Sequence, residues 1–189
     1  MCGIACLLRH DRPVTESDLQ PMIRALRHRG PDGEGTWTQG RIGLAHTRLK
    51  IIDPVGGNQP MKNDAGDICI TYNGELYNFR LVRDELKKSG HVFHTDSDTE
   101  VVLKAYEEWG EDCVSHFRGM FAFCITDTKR RILFLARDHF GIKPLCYFAT
   151  GSAFAAASEL QALGSLSDCP QQIIGVIRVA EKTTLAIDN

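Results

Sequence analysis

Apolar residues in this chain fall mostly into short runs of strand length, with stretches of helical spacing between them. Residues 3–8 form an apolar run that predicts a buried strand. Leu19, Met22, Ile23 and Leu26 recur at i, i+3, i+4 and i+7. They predict an amphipathic helix with Thr15 as N-cap, in which Pro21 is tolerable only within the first turn or so. The sequence His28-Arg29-Gly30-Pro31-Asp32-Gly33-Glu34-Gly35 breaks that helix, and Pro31-Asp32-Gly33 suits a type I turn. Further strands are expected at 41–46, 68–73, 120–127, 131–137, 145–149 and 152–157. Residues 120–127 and 131–137 read as a hairpin through Asp127-Thr128-Lys129-Arg130. One helix is expected over about 78–89, stopped by Gly90. Another begins at Ser97, where Ser97 and Glu100 have the spacing of a capping box and Val102, Ala105, Tyr106 and Trp109 form the apolar stripe. Grouped strands and grouped helices argue for an α+β fold rather than alternating βαβ units.

The 189 residues suffice for one domain with a sizeable core. A net charge of −2 gives no general attraction to nucleic acid or anionic membrane. No apolar run approaches the ~18 residues of a membrane-spanning helix, and the N-terminus lacks the pattern of a signal peptide. Seven cysteines, at 2, 6, 69, 113, 124, 146 and 169, form no C-x-x-C pair. They read as reduced and mostly buried in a cytoplasmic protein, without the paired ligand spacing of a zinc site.

The chemistry concentrates at Cys2. Removal of Met1 would leave Cys2 with a free α-amine, of ordinary pKa about 7.7–8.0, beside its own thiol. One residue then supplies both nucleophile and base. Taken alone, Cys2 reads equally as a small buried residue at a strand start. Other polar residues lie at strand ends and helix starts: Arg48 after the strand 41–46, Asn73-Gly74-Glu75 after the strand 68–72, and Asp98 in the first turn of the capped helix. Each has a plain structural alternative. Arg48 suits a surface ion pair, Asp98 a helix-dipole partner, and Asn73-Gly74 a turn.

These residues lie within the segments MCGIACL, HRGPDGEG, HTRLKIID, YNGELYN, DSDTE, FRGMFAFCITD, ARDHFGIKPL and ASELQAL, which span residues 1–163. In them the chain resembles the class II glutamine amidotransferase domain, specifically the N-terminal glutaminase domain of glutamine-hydrolysing asparagine synthetase. The resemblance implies a four-layer αββα sandwich of the N-terminal-nucleophile hydrolase type, with two stacked antiparallel sheets. It implies Cys2 as the nucleophile toward the side-chain amide of L-glutamine, and Asn73 with Gly74 as oxyanion donors. Arg48 would hold the substrate carboxylate, and Asp98 with Glu75 its ammonium. The segment Leu49, Lys50, Ile51 and Ile52 would line the pocket, and neither cofactor nor metal is called for. The resemblance gives no role to His28, His46, His91 or His139. Arg29, Asp32, Arg137, Asp138 and Lys143 are expected to fix loops or face a partner.

After Leu163 the pattern departs from the family. The usual longer stretch and its Pro-Pro-Gly are missing, and residues 175–185 resemble the closing strand. No Ser-Gly-Gly-Leu-Asp-Ser loop of an ATP-pyrophosphatase domain occurs, so the expectation is a single amidotransferase domain over 1–189 that at most hydrolyses glutamine. Its expected partner is a separate ATP-dependent synthetase subunit or a second copy of itself. A catalytically idle glutamine-binding module, or a fragment of a full synthetase, stands as the alternative.

Overall fold

The computed structural model describes residues 1–50, 56–170 and 182–187. Its elements run β1 (Gly3–Arg9), α1 (Glu16–Leu26), β2 (Gly33–Gln39), β3 (Ile42–Arg48), β4 (Met61–Lys62), β5 (Ile68–Leu76), α2 (Phe79–Lys88), α3 (Asp98–Trp109), β6 (Gly119–Asp127), β7 (Ile132–Arg137), β8 (Cys146–Ala149), β9 (Ala153–Ala157), α4 (Leu160–Gly164) and β10 (Lys182–Ala186). Short 3-10 helices cover Arg27–Arg29 and Gly110–His116.

The strands form two five-stranded sheets, ordered β2-β3-β1-β9-β8 and β10-β7-β6-β5-β4, in which every strand pair is antiparallel. Alternation along each strand explains how they stack. On β1, Ile4, Cys6 and Leu8 point into an inter-sheet core with Ile42, Leu44, Cys69, Ala122, Cys124, Leu133 and Leu135. The intervening Ala5 and Leu7 face outward onto Leu19, Met22, Ile23 and Leu26 of α1. On β5 the outward positions Ile68, Ile70 and Tyr72 meet Val82 and Leu86 of α2 and Val101, Val102, Ala105 and Tyr106 of α3. The layers are therefore helix, sheet, sheet, helix, the αββα sandwich that the resemblance implies. Both faces of β1 are buried, which is why its sequence is a continuous apolar run.

Three expectations from the sequence are revised here. Residues 33–39 form the edge strand β2, which pairs with β3 from Gly33↔Arg48 to Gln39↔Ile42. Its two glycines and polar side chains conceal it. Pro21 lies in the second turn of α1 rather than the first. The helix forgoes one backbone bond there while its apolar face stays packed. At α3, Ser97 caps through its side chain, which accepts from Thr99 N at 3.1 Å. Glu100 does not complete a box with Ser97: its carboxylate accepts from His94 N at 2.9 Å and from Thr95 N and Oγ1 at 2.7 Å. That carboxylate ties the preceding loop to the helix start and so fixes where Asp98 stands.

The other strands and helices expected from the sequence lie within a few residues of their expected positions, whereas β4 and α4 were not expected. The 175–185 strand expectation falls largely outside the described residues, although β10 pairs with β7 from Lys182↔Ala136 to Ala186↔Ile132. No helix of the described residues is long and apolar enough to cross a membrane.

Candidate active site

The antiparallel register brings together four chain segments that are remote in sequence. Gly3 is paired with Thr47, so Cys2 lies beside the end of β3, next to Arg48 and Leu49. The end of β5, Asn73-Gly74-Glu75, is paired with Ala122, Phe121 and Met120 of β6. The start of α3 supplies Asp98. Cys2, Arg48, Leu49, Asn73, Gly74, Glu75 and Asp98 all line one cleft at this end of the sandwich, with Met1, Tyr72 and Lys143 among its other walls.

The Cys2 sulfur accepts a hydrogen bond from Leu49 N at 3.3 Å. As a thiol it also donates to Leu49 O at 3.6 Å, so both backbone groups of Leu49 hold the sulfur. The backbone of Cys2 is held in turn, since Arg29 Nε donates to its carbonyl at 2.9 Å and Arg29 Nη1 is paired with Glu159 at 2.7 Å. Gly30 lets this segment lie against β3: a Cβ there would stand 2.3 Å from the Thr47 carbonyl.

Asn73 is 3% exposed, and its side-chain amide nitrogen has no hydrogen-bond partner among the described residues. A buried N–H without an acceptor carries a cost of about 1–3 kcal/mol. Next to it, a Cβ on Gly74 would stand 2.6 Å from Met120 O and 2.7 Å from the Tyr72 hydroxyl, so no side chain fits. Two potential donors, the Asn73 amide and the Gly74 backbone, thus line the same cleft as the Cys2 sulfur.

Charges of opposite sign flank them. Arg48 is 6% exposed and its Nη1 donates to Asn58 Oδ1 at 2.8 Å. Asp98 is 4% exposed and its Oδ2 accepts from the Tyr72 hydroxyl at 2.9 Å and from Leu76 N at 3.1 Å. Burial raises the Asp98 carboxyl above its ordinary value, against the pull of those hydrogen bonds. Burial, with the Asp98 charge beside it, also pushes the Tyr72 phenol well up, so Tyr72 remains a hydrogen-bond donor. Glu75 lines the cleft from a solvent-exposed position.

Lys50, expected to line the pocket, is exposed and is not among the residues that line the cleft; its backbone N–H donates to Asp32 Oδ2 at 2.9 Å. Ile51 and Ile52 lie outside the described residues. Several neighbours went unread in the sequence. Tyr72 occupies a helix-facing strand position. Asn58 and Gln59 lie in a Gly-rich loop with no periodic signal. Gln59 copies a strand edge: its Oε1 accepts from Tyr72 N at 2.6 Å, and its Nε2 donates to Tyr72 O at 3.1 Å and Thr99 Oγ1 at 3.2 Å. Lys143, expected to fix a loop, instead lines the cleft.

A nucleophile, an amide donor without a partner among the described residues, a buried cation and a buried anion around one cleft suit attack on a small zwitterion's amide. Over residues 1–179 the chain matches the glutamine amidotransferase domain family, and it belongs to that family. It is a glutamine amidotransferase domain homologous to asparagine synthetases. Over 167 residues it is 43% identical to asparagine synthetase [glutamine-hydrolyzing] 3 of Bacillus subtilis, covering 86% of this chain and 27% of that protein. Over 182 residues it is 38% identical to a putative asparagine synthetase [glutamine-hydrolyzing] 2 of Methanocaldococcus jannaschii, covering 86% of this chain and 35% of that protein. The chain thus spans about a third or less of these relatives' length. Among solved structures, glutamine phosphoribosylpyrophosphate amidotransferase of Bacillus subtilis shares the fold. Its TM-score is 0.76 at 19% identity, over 99% of this chain and 49% of that one.

Proposed function

We propose that this domain hydrolyses L-glutamine to glutamate and ammonia through Cys2, once Met1 has been removed, and that the ammonia serves amide synthesis as in its asparagine synthetase relatives. The observation that carries the reading is the buried Asn73 amide without an acceptor, in the same cleft as the Cys2 sulfur. An oxyanion formed on the substrate amide is the acceptor it lacks.

The steps follow from the groups present. The Cys2 α-amine takes the thiol proton, and the thiolate attacks the side-chain amide carbon. The resulting oxyanion accepts from Asn73 Nδ2 and Gly74 N, each such donor being worth about 2.7–4 kcal/mol in the transition state. The α-ammonium returns its proton to the departing nitrogen, which leaves as ammonia, and a glutamyl thioester remains. Water, deprotonated by the same amine, attacks the thioester through a second oxyanion. Glutamate departs with the sulfur-bound hydrogen restored. Arg48 matches the planar α-carboxylate of the substrate, while Asp98 and Glu75 match its α-ammonium. Asp98 bears a desolvation cost that the substrate's cation would relieve. Leu49 forms the pocket wall beside Cys2 in this reading.

The partner is an ATP-dependent acceptor that consumes the ammonia. Phe140, 90% exposed, and Ile142, 54% exposed, lie on the loop that carries Lys143 into the cleft. They offer an apolar rim for that partner. Seven cysteines, none of them in a disulfide, suit a reducing compartment, and we assign the protein to the cytoplasm.

One observation favours the alternative of an idle glutamine-binding module. Met1 itself lines the cleft, and a chain that keeps Met1 has no α-amine at Cys2. Glutamate release by wild-type and Cys2→Ala protein, each with its N-terminus identified by mass, separates the two. Turnover confined to the Met1-free wild type is expected. Turnover by Cys2→Ala, or by a chain that keeps Met1, would overturn the proposal.

A further inference from the structure

Lys143 is 6% exposed, yet its ammonium enters the cleft, where Nζ lies 3.3 Å from the sulfur of Met1. Its place is set by a loop built for rigidity. Asp138 Oδ2 accepts from Lys143 N at 3.0 Å and Phe121 N at 3.2 Å. Its Oδ1 accepts from Phe140 N at 3.1 Å and Ile142 N at 2.9 Å. Four backbone donors on one carboxylate hold it below the usual carboxylate range despite its burial. Among the described residues, no carboxylate comes within the 4.0 Å of an ion pair with Lys143. Glutamine has one carboxylate and one ammonium, for which Arg48 and the Asp98–Glu75 pair suffice. The Lys143 charge is left over.

We propose that Lys143 is a positioning residue for proton transfer, its ammonium disfavouring protonation of the Cys2 α-amine so that this amine remains a base near neutral pH. The inference rests on the Cys2 reading above. Met1 Sδ is five bonds from the Cys2 nitrogen, at most about 6 Å away, so Nζ and the freed amine stand about 9 Å apart or less. At about 9 Å a unit charge shifts a titration by about 0.3 to 1.4 pH units for effective dielectrics between 80 and 20. Like charges disfavour a second cation, so the shift makes more free amine at a given pH. The other charged or titratable groups around Cys2 are Arg29 with Glu159 behind its carbonyl, Arg48 from β3, Tyr72 and Glu75 from β5, and Asp98 from α3. All of them stay constant when only position 143 changes.

The test is the pH dependence of glutaminase kcat/KM in Met1-free wild type, Lys143→Met and Lys143→Arg. The expected result is an acid limb displaced upward by about 0.3 to 1.4 pH units in Lys143→Met. Lys143→Arg should follow the wild type, and KM on the high-pH plateau should be unchanged. Superimposed limbs for wild type and Lys143→Met would overturn the proposal, as would an equal displacement in Lys143→Arg. Titration of the Cys2 α-amine by NMR in cysteine-labelled protein, assigned with Cys2→Ala, provides a readout without turnover. A higher midpoint in Lys143→Met supports the inference and an unchanged one refutes it. Complete absence of wild-type turnover would instead count against the Cys2 reading, while the NMR midpoints still decide the role of Lys143.

Discussion

Lowering the pH from 7 to 5 is expected to cost this fold about 2 kcal/mol through a single side chain, His46. His46 is 1% exposed and lies between the sheets, its Nδ1 3.1 Å from Thr71 Oγ1. Thr71 Oγ1 donates to Ala45 O at 3.1 Å, so it accepts from a proton on Nδ1. The lone pair therefore sits on Nε2, which has no partner among the described residues. Protonating Nε2 would bury a charge two residues from Arg48 on the same strand face. Burial first, and Arg48 second, push the imidazole down from 6.5 to about 3. A folded value below the unfolded one means that the unfolded chain binds more protons between about pH 3 and 6.5, so stability is lost as the pH is lowered through that window. At pH 5 the unfolded imidazole is almost fully protonated and the folded one almost fully neutral, which gives the 2 kcal/mol whether the folded value is 3 or nearer 4. For a domain of this size that is a loss of about 4–8 °C in Tm. The assay is thermal unfolding at pH 7 and pH 5 for wild type and His46→Gln, compared by slope rather than by absolute stability. The wild type should lose about 4–8 °C more than the variant. Parallel losses in the two proteins would refute the assignment. The carboxylates of Asp64, Asp138 and Glu159, all held below their ordinary values, are common to both proteins, so their contribution cancels in the comparison.

Other substitutions separate binding from chemistry. Asn73→Ala should lower kcat about 10²–10³-fold with little change in KM, because its donor is needed in the transition state; a pure KM effect would reverse its role. Arg48→Ala and Asp98→Asn should mainly raise KM for glutamine, and a pure kcat effect would displace them from the substrate's charged ends. Asp98→Asn should also leave Tm at pH 7 equal to or above the wild type. The Asp98 carboxyl is raised on folding, so it costs stability above its ordinary value of 3.8, and a lowered Tm would contradict that sign. Gly74→Ala should abolish turnover and lower Tm together, since its Cβ meets Met120 O at 2.6 Å; retained activity would mean that the strand end yields.

Much of the scaffold was legible because its strands are buried and its helices amphipathic. The runs at 3–8, 120–127 and 131–137 are apolar because those strands lie inside the sandwich, and Leu19, Met22, Ile23 and Leu26 mark α1 because only one of its faces is covered. The edge strand β2 escaped notice because Gly33 and Gly35 look like turn residues and half-exposed side chains impose no alternation. Cys2, Arg48, Asn73, Gly74 and Asp98 were legible as polar residues at element ends, whereas their supports were not. Tyr72 reads as an ordinary strand aromatic until its hydroxyl is found on Asp98, and Gln59 substitutes for a strand edge from a loop. Lys143 reads as a loop residue until Asp138 is seen to aim it inward. Such contacts depend on register and crossing, which no local pattern carries.

The central claim is that Cys2, as the first residue of the mature chain, attacks glutamine. Intact mass of the protein, quenched in acid during turnover of glutamine, tests it most directly. The account predicts loss of Met1 and a transient glutamyl adduct that peptide mapping localises to Cys2. It also predicts that a diazoketone analogue of glutamine, which loses N2 on attack by the thiolate, leaves a stable thioether on the same Cys2 sulfur. A chain that turns over glutamine with Met1 intact, or whose adduct maps to any other residue, would contradict the account.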